Sequence, residues 1–310
     1  MRNSNKRIIF IIIISIMMMA TACTSQAPVF EEDMIYNYKS TPDDKVNFSY
    51  AQFSIWFPKN VETYRGILYL GAGYEYSSIP MMKEKRWQDF ARENQFVILT
   101  SYMKSRTEED NDISYWQAEY GTGQELLNAL KYFAKEANHP EVAKAPLAMW
   151  GFSAGGQFNY QFACWKPERV ITYVAIKGGY YFAEMNDEAL KIPALFFTGE
   201  NDLPRRIQAV DELFKKNIKT EPLWCLAKEA DSEHEIGKTY DLAIPWLSEV
   251  VKQRLPQKAL KDIDNSHAWL GERTTGEIAP IGDYAKDRNN ASWLPSENTA
   301  RIWTEFHLHE

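Results

Sequence analysis

The sequence predicts an α/β fold, a mostly parallel twisted sheet with helices on both faces. Short apolar runs alternate with stretches whose apolar residues recur at helical spacing, and the connections between them are short. That alternation is what a parallel sheet covered by helices requires. At 310 residues, 45% apolar and 14% aromatic, the chain has enough apolar surface for one large core. These values exclude disordered and disulfide-stapled classes, and a single α/β domain can reach this length.

Phe48 to Phe57 alternates with aromatics, as a strand does, and Gly66 to Leu70 is a short apolar run ending at Gly71, as buried parallel strands do. Trp87 to Asn94 has a helical pattern, and Phe96 to Leu99 is a second buried strand. Gln124 to Glu136 carries Leu126, Leu127, Leu130, Tyr132 and Phe133 as a helical stripe. Leu147 to Trp150 is a strand, followed by a helix over Gly156 to Trp165. Ile171 to Ile176 and Ile192 to Phe197 are strands separated by a loop bearing Gly178 and Gly179. Arg205 to Lys216 is a helix with Ile207, Val210, Leu213 and Phe214 on one face; Pro222 to Leu226 is the last clear strand, and Thr239 to Leu255 the helix after it. Pro256 to Glu310 departs from the alternation. Its Gly271, Gly276, Pro280, Gly282 and Pro295, with Trp269, Trp293 and Trp303, predict a long irregular extension that wraps the domain and is pinned by its tryptophans.

The N-terminus has the form of a targeting signal. Arg2, Lys6 and Arg7 precede an apolar run from Ile8 to Ala20, about the length of a signal core and short for a membrane span. It leads through Ala20-Thr21-Ala22 to Cys23, and so resembles a bacterial lipoprotein signal, although Ala20 stands where such signals usually carry Leu. The resemblance implies that Cys23 is lipidated and that the mature protein is held on a membrane of a bacterial cell envelope. The expected plan is a signal over 1–22, a tether over 23–44, an α/β domain over 45–255 and the extension over 256–310. Net charge is -7, and loss of the three basic signal residues takes it to -10. No basic patch offers itself to nucleic acid. Cys164 and Cys225 lie in apolar surroundings and read as buried free thiols, with a bridge between them as the alternative. Neither has metal-ligand spacing.

Directly after the Leu147–Trp150 strand comes Gly151-Phe152-Ser153-Ala154-Gly155-Gly156. This is G-x-S-x-G at a strand-to-helix junction, where a tight turn exposes the serine hydroxyl and residues larger than glycine would clash. Here the chain resembles the α/β-hydrolase superfamily, over about Phe48 to Leu255. A serine hydroxyl is a weak nucleophile at neutral pH and needs a base, itself oriented by a carboxylate. The superfamily orders its triad as serine, acid, histidine. The resemblance therefore implies Asp202, in Thr198-Gly199-Glu200-Asn201-Asp202 after a strand, as the acid, with Glu200 as local rival. It implies His234, in the loop after the last strand, as the base. Of the other histidines His267 is the credible rival, His139 precedes the nucleophile strand, and His307 and His309 are expected to be solvated. Glu233 and Glu235 could hold an imidazolium by charge. One oxyanion donor is expected at the Ala154 N–H, the other at Gly73 or Tyr74 in the loop Gly71-Ala72-Gly73-Tyr74, where many relatives begin with His-Gly.

The spacing from Ser153 to Asp202 to His234 leaves little room for a large lid. It resembles dienelactone-hydrolase-like and feruloyl- or acetylxylan-esterase-like members more than lidded lipases. The expectation is an exported esterase with no cofactor and no metal, acting on a small carboxylic ester such as an acyl group on a polysaccharide. Tyr74, Tyr76, Trp116, Tyr120, Tyr180 and Tyr181 are read as core or as a ring-binding wall. A peptidase or amidase using the same triad stays open, as does a non-catalytic binding lipoprotein.

Overall fold

The computed structural model describes residues 27–43, 45–106 and 113–308; the expected signal, Cys23 and His309 lie outside them. Eight strands form one sheet: β1 (Met34–Ser40), β2 (Phe48–Phe57), β3 (Gly66–Gly71), β4 (Phe96–Ser105), β5 (Leu147–Phe152), β6 (Val170–Ile176), β7 (Ala194–Gly199) and β8 (Trp224–Glu229). Their order is β1-β2-β4-β3-β5-β6-β7-β8. β2 runs antiparallel to both neighbours, and every pair from β4 to β8 is parallel. The fold is thus the mostly parallel α/β class that the alternation predicts.

Helices α1 (Lys85–Asn94), α2 (Thr122–Glu136), α3 (Ala154–Trp165), the short α4 (Asp187–Leu190), α5 (Pro204–Asn217) and α6 (Tyr240–Arg254) connect the strands. Successive strand side chains face opposite sides of a sheet, and here both sides are apolar. Leu147 and Met149 of β5 join Leu130 of α2, Phe158 of α3 and Phe214 of α5 in one core. Ala148 and Trp150 point the other way, into a second core with Trp87 of α1 and Trp246 of α6. Burial on both faces is why the central strands read as continuous apolar runs rather than alternating ones.

Two segments differ from expectation. β1 lies within the expected tether and pairs with β2 from Met34↔Phe57 to Ser40↔Ala51. Tyr36 and Tyr38 turn toward the core, Tyr36 onto Phe57 with ring centroids 5.7 Å apart, while Ile35, Asn37 and Lys39 stay exposed. Only one face of this edge strand is half-buried, so its apolar signal is weak.

The extension carries regular structure where an irregular path is expected. β9 (Trp269–Glu272), β10 (Ile278–Pro280) and β11 (Ala291–Leu294) form an antiparallel sheet in the order β10-β9-β11, followed by α7 (Glu297–Leu308). It docks on the open edge of β8. Ser292 Oγ accepts from the Leu226 N–H at 2.9 Å and donates to the Leu226 carbonyl at 3.0 Å. The Trp303 indole N–H donates to the same carbonyl at 2.8 Å. An uncovered parallel edge would offer these groups to another chain. Trp293 and Trp303 are both buried in the second core, so the tryptophans do pin the segment. Among the described residues, no helix is long and apolar enough to cross a membrane.

Candidate active site

Ser153 sits alone between the end of β5 and the start of α3, at φ 54° and ψ -117°. A positive φ in a non-glycine residue is uncommon and strained, and here it aims the side chain out of the turn. The glycines around it meet a steric demand. A Cβ on Gly151 would lie 2.3 Å from the Gly155 carbonyl carbon, and one on Gly155 would lie 2.5 Å from the carbonyl carbon of Gly71. The second contact brings the loop after β3 against the turn.

Three loops converge at the carboxyl ends of the strands, where sites form in open α/β sheets. The loop after β7 presents Asp202 and the loop after β8 presents His234. His234 Nε2 is 2.9 Å from Ser153 Oγ, and its Nδ1 is 3.0 Å from Asp202 Oδ2. The backbone ties the two loops together: Glu200 N–H donates to the Glu229 carbonyl and Asn201 N–H to the Ser232 carbonyl, each at 2.9 Å. Phe152 lies against the imidazole, ring centroids 4.9 Å apart.

Asp202 is buried, with its side chain 2% exposed. Its Oδ1 accepts from the Leu203 N–H at 2.7 Å and from Arg206 Nη1 at 2.8 Å. Burial pushes this carboxyl up, but the bonds from His234, Arg206 and the Leu203 N–H outweigh burial and hold it below its ordinary value. Asp202 is therefore a carboxylate at neutral pH.

The structure brings Ser153, His234 and Asp202 into one hydrogen-bonded line and leaves their rivals elsewhere. Glu200 pairs with Lys228 at 2.6 Å on the surface. His267 is exposed on the extension. His139 is buried under Tyr64 with Nδ1 2.9 Å from Glu141. His307, expected to be solvated, instead stacks on Trp303 and accepts the Lys228 N–H at 3.0 Å through Nδ1. Glu233 is exposed, and Glu235 Oε1 is turned to Ser232 Oγ at 3.3 Å. Cys164 and Cys225 are buried and free. Burial pushes the Cys164 thiol up to about 12.

Ala154 opens α3, so its N–H has no partner within the helix. Gly73 lies over Phe152, its position for a Cβ 3.7 Å from that ring. Tyr74 stacks on Tyr115 with centroids 5.6 Å apart. Trp116 stacks on Tyr180 at 5.7 Å, with Phe182 tilted against both. Arg205 donates to the Tyr180 hydroxyl at 2.7 Å. Tyr76, Tyr120 and Phe182 are strongly exposed, whereas Tyr181 turns inward onto Tyr160. Among the described residues no group of three or more His, Cys, Asp or Glu side chains is placed to hold a metal ion.

Arg206, Lys177 and Glu229 escape a reading of the sequence. Arg206 was within reach, since it stands four residues after the acid at the start of a helix. Lys177 and Glu229 only meet in space.

No protein-family profile matches the chain, and no curated protein does. Among solved structures, FphF, a fluorophosphonate-binding serine hydrolase of Staphylococcus aureus, aligns with a TM-score of 0.48 at 10% identity, covering 70% of this chain and 99% of its own. An S-formylglutathione hydrolase from Agrobacterium tumefaciens aligns at 0.48 and 12% identity, over 71% of this chain and 94% of that one. A ferulic acid esterase aligns at 0.49 and 12% identity, over 71% and 98%. At these identities and scores the likeness carries no activity, substrate or residue role to this chain.

Proposed function

We propose that the chain is a serine hydrolase acting on a small carboxylic ester, with Ser153 as nucleophile, His234 as general base and acid, and Asp202 as its orienting carboxylate. One observation carries the reading: His234 bridges Ser153 Oγ at 2.9 Å and Asp202 Oδ2 at 3.0 Å, with the serine on a strained turn. A binding surface has no use for that line; an acyl transfer does.

In this reaction Ser153 Oγ attacks the ester carbonyl carbon while His234 Nε2 takes its proton. The Ala154 N–H and an N–H of Gly73 or Tyr74 receive the developing oxyanion, and loss of one such donor costs about 3 kcal/mol of barrier. The carbonyl–alkoxy bond then breaks as His234 gives its proton to the departing oxygen. Water, deprotonated by His234, attacks the acyl-enzyme in turn, releasing the acid and restoring the Ser153 hydroxyl.

Exposed rings on the loops after β3 and β6, Tyr76 and Phe182 among them, favour a substrate that itself carries a ring, such as an acylated sugar of a polysaccharide. The basic-then-apolar N-terminus ending at Cys23 favours export and lipid attachment to a bacterial envelope membrane.

The test uses a fluorophosphonate probe on the wild type and on Ser153→Ala, with p-nitrophenyl acetate assayed beside an aminoacyl anilide. Labelling lost in the variant together with ester turnover supports the esterase. Anilide turnover alone makes the protein a peptidase, and a wild type that neither labels nor turns over is not a hydrolase.

A further inference from the structure

We propose that Lys177 and Glu229 form a buried ion pair that holds the His234 loop in register with Ser153; this rests on the hydrolase reading for its catalytic consequence. Lys177 is 1% exposed and Glu229 6%. Lys177 Nζ donates to Glu229 Oε2 at 2.8 Å and to Ser232 Oγ at 2.5 Å. Glu229 Oε1 accepts the Lys238 N–H at 2.5 Å. The loop carrying His234 is thus gripped at its start by Glu229, before the histidine by Ser232, and at its end by Lys238.

The same residue is referenced to the nucleophile. In the peptide unit joining Ile176 to Lys177, the Ile176 carbonyl accepts the Ser153 N–H at 2.7 Å and the Lys177 N–H donates to the Phe197 carbonyl at 2.9 Å. Lys177 itself takes a φ of 52°, which turns its side chain back over Gly199. A Cβ on Gly199 would lie 3.0 Å from Lys177 Cε and 2.5 Å from the Ser232 carbonyl oxygen. Gly237, at φ 56°, leaves room for the Glu229 carboxylate, which a Cβ there would meet at 2.2 Å. Two glycines and one strained lysine therefore accommodate the pair.

Stability alone does not account for it. Replacing a buried ion pair by apolar residues of similar size is often neutral or stabilising, whereas removing one partner strands a charge. What the pair supplies is fixed geometry, at a place where a displacement of about 1 Å can cost about 100-fold in rate. Lys177 and Glu229 are positioning residues, acting through the loop they hold.

The decisive variant removes both charges, Lys177→Met with Glu229→Met, alongside Ser232→Ala, which deletes only one grip. Four quantities are read: melting temperature, the rate of Ser153 labelling by fluorophosphonate, kcat and KM for p-nitrophenyl acetate, and amide exchange over residues 230–238. The double variant is expected to melt near the wild type, to label about 10- to 100-fold more slowly, to lose kcat with KM little changed, and to exchange faster in the loop. Ser232→Ala is expected to show the same split with a smaller loss. Wild-type labelling and exchange in a folded double variant overturn the proposal, as does an unfolded double variant accompanied by wild-type behaviour of Ser232→Ala. Should the wild type itself not label, the hydrolase reading fails, and loop exchange alone decides whether the pair positions the loop.

Discussion

Asp202 divides its carboxylate between two side chains, His234 Nδ1 at 3.0 Å from Oδ2 and Arg206 Nη1 at 2.8 Å from Oδ1. The two bonds have different consequences. His234 needs a carboxylate acceptor to hold the tautomer that leaves Nε2 free to take a proton, and an amide in that place reverses the ring's preference. Arg206 holds an oxygen that the Leu203 N–H also holds, at 2.7 Å. Asp202→Asn is therefore expected to lower kcat by about 10³- to 10⁴-fold. Arg206→Gln, which leaves two of the three bonds in place, should cost about tenfold or less. Steady-state kinetics on p-nitrophenyl acetate compare them. Equal losses would make the arginine, not the histidine, the partner that matters.

The approach of Gly155 to the loop after β3 gives a second expectation. A methyl on Gly155 would sit 2.5 Å from the Gly71 carbonyl carbon and 2.7 Å from the Ala72 carbonyl oxygen. Both neighbours are backbone and cannot swing aside, so Gly155→Ala must part the loop from the nucleophile turn. The expected cost is about 1–3 kcal/mol in stability, with Ser153 labelling slowed more than tenfold as the proposed oxyanion donors separate. Gly282→Ala is the control: no atom lies within 4 Å of its Cβ position, so it should be neutral or slightly stabilising. Thermal melts and labelling rates read both. Wild-type labelling in Gly155→Ala would remove the loop after β3 from the oxyanion site.

The sheet and the three converging side chains were legible for different reasons. Strands buried on both faces appear as apolar runs, which located Leu147–Trp150, Ile192–Phe197 and Pro222–Leu226; G-x-S-x-G after the first marked Ser153, and the superfamily resemblance, through its serine, acid, histidine order, implied Asp202 and His234 in the loops after the other two. What stayed hidden lacks either property. β1 has one half-buried face. β9, β10 and β11 have 4, 3 and 4 residues, too few to show a period, and Gly271 and Pro280 within them read as loop. α7 is nearer to hand, since Ala300, Trp303 and Phe306 recur every third residue, but a lone tryptophan among Gly- and Pro-bearing loops reads as a pin rather than as part of a stripe. Lys177 and Glu229 lie 52 residues apart, and only the parallel order of β6, β7 and β8 brings them together.

Ser292 serves both polar groups of Leu226 on the open side of β8. Ser292→Ala removes only the hydroxyl, leaving a buried N–H without a partner while the carbonyl retains Trp303. The expected loss is about 1–3 kcal/mol, read as a lower urea midpoint with the slope unchanged. Trp303→Ala should cost more, about 3–5 kcal/mol, because it also empties a buried indole site. Both variants should aggregate more readily on heating than the wild type, since they loosen the cover on a strand edge. A Ser292→Ala protein as stable as the wild type would show that the extension docks through its apolar contacts alone.

Acid should act on the same extension through Glu272. Burial pushes its carboxyl up, but bonds from Thr275 and Thr274 outweigh burial and bring it from an ordinary 4.5 down to about 2. The Thr275 and Thr274 N–H groups reach Oε2 at 2.6 and 3.1 Å, and Asn290 Nδ2 donates to Oε1. The folded state therefore binds this proton less readily than the unfolded chain does. Stability from Glu272 is complete above about 4.5 and is lost as the pH falls toward about 2. Glu272→Gln should be less stable than the wild type near neutrality, and the gap should close across that interval. Urea titrations at a series of pH values, followed by tryptophan fluorescence, measure it. A gap that stays constant through the interval would mean that the stability lost in Glu272→Gln does not come from the ionisation of this carboxyl.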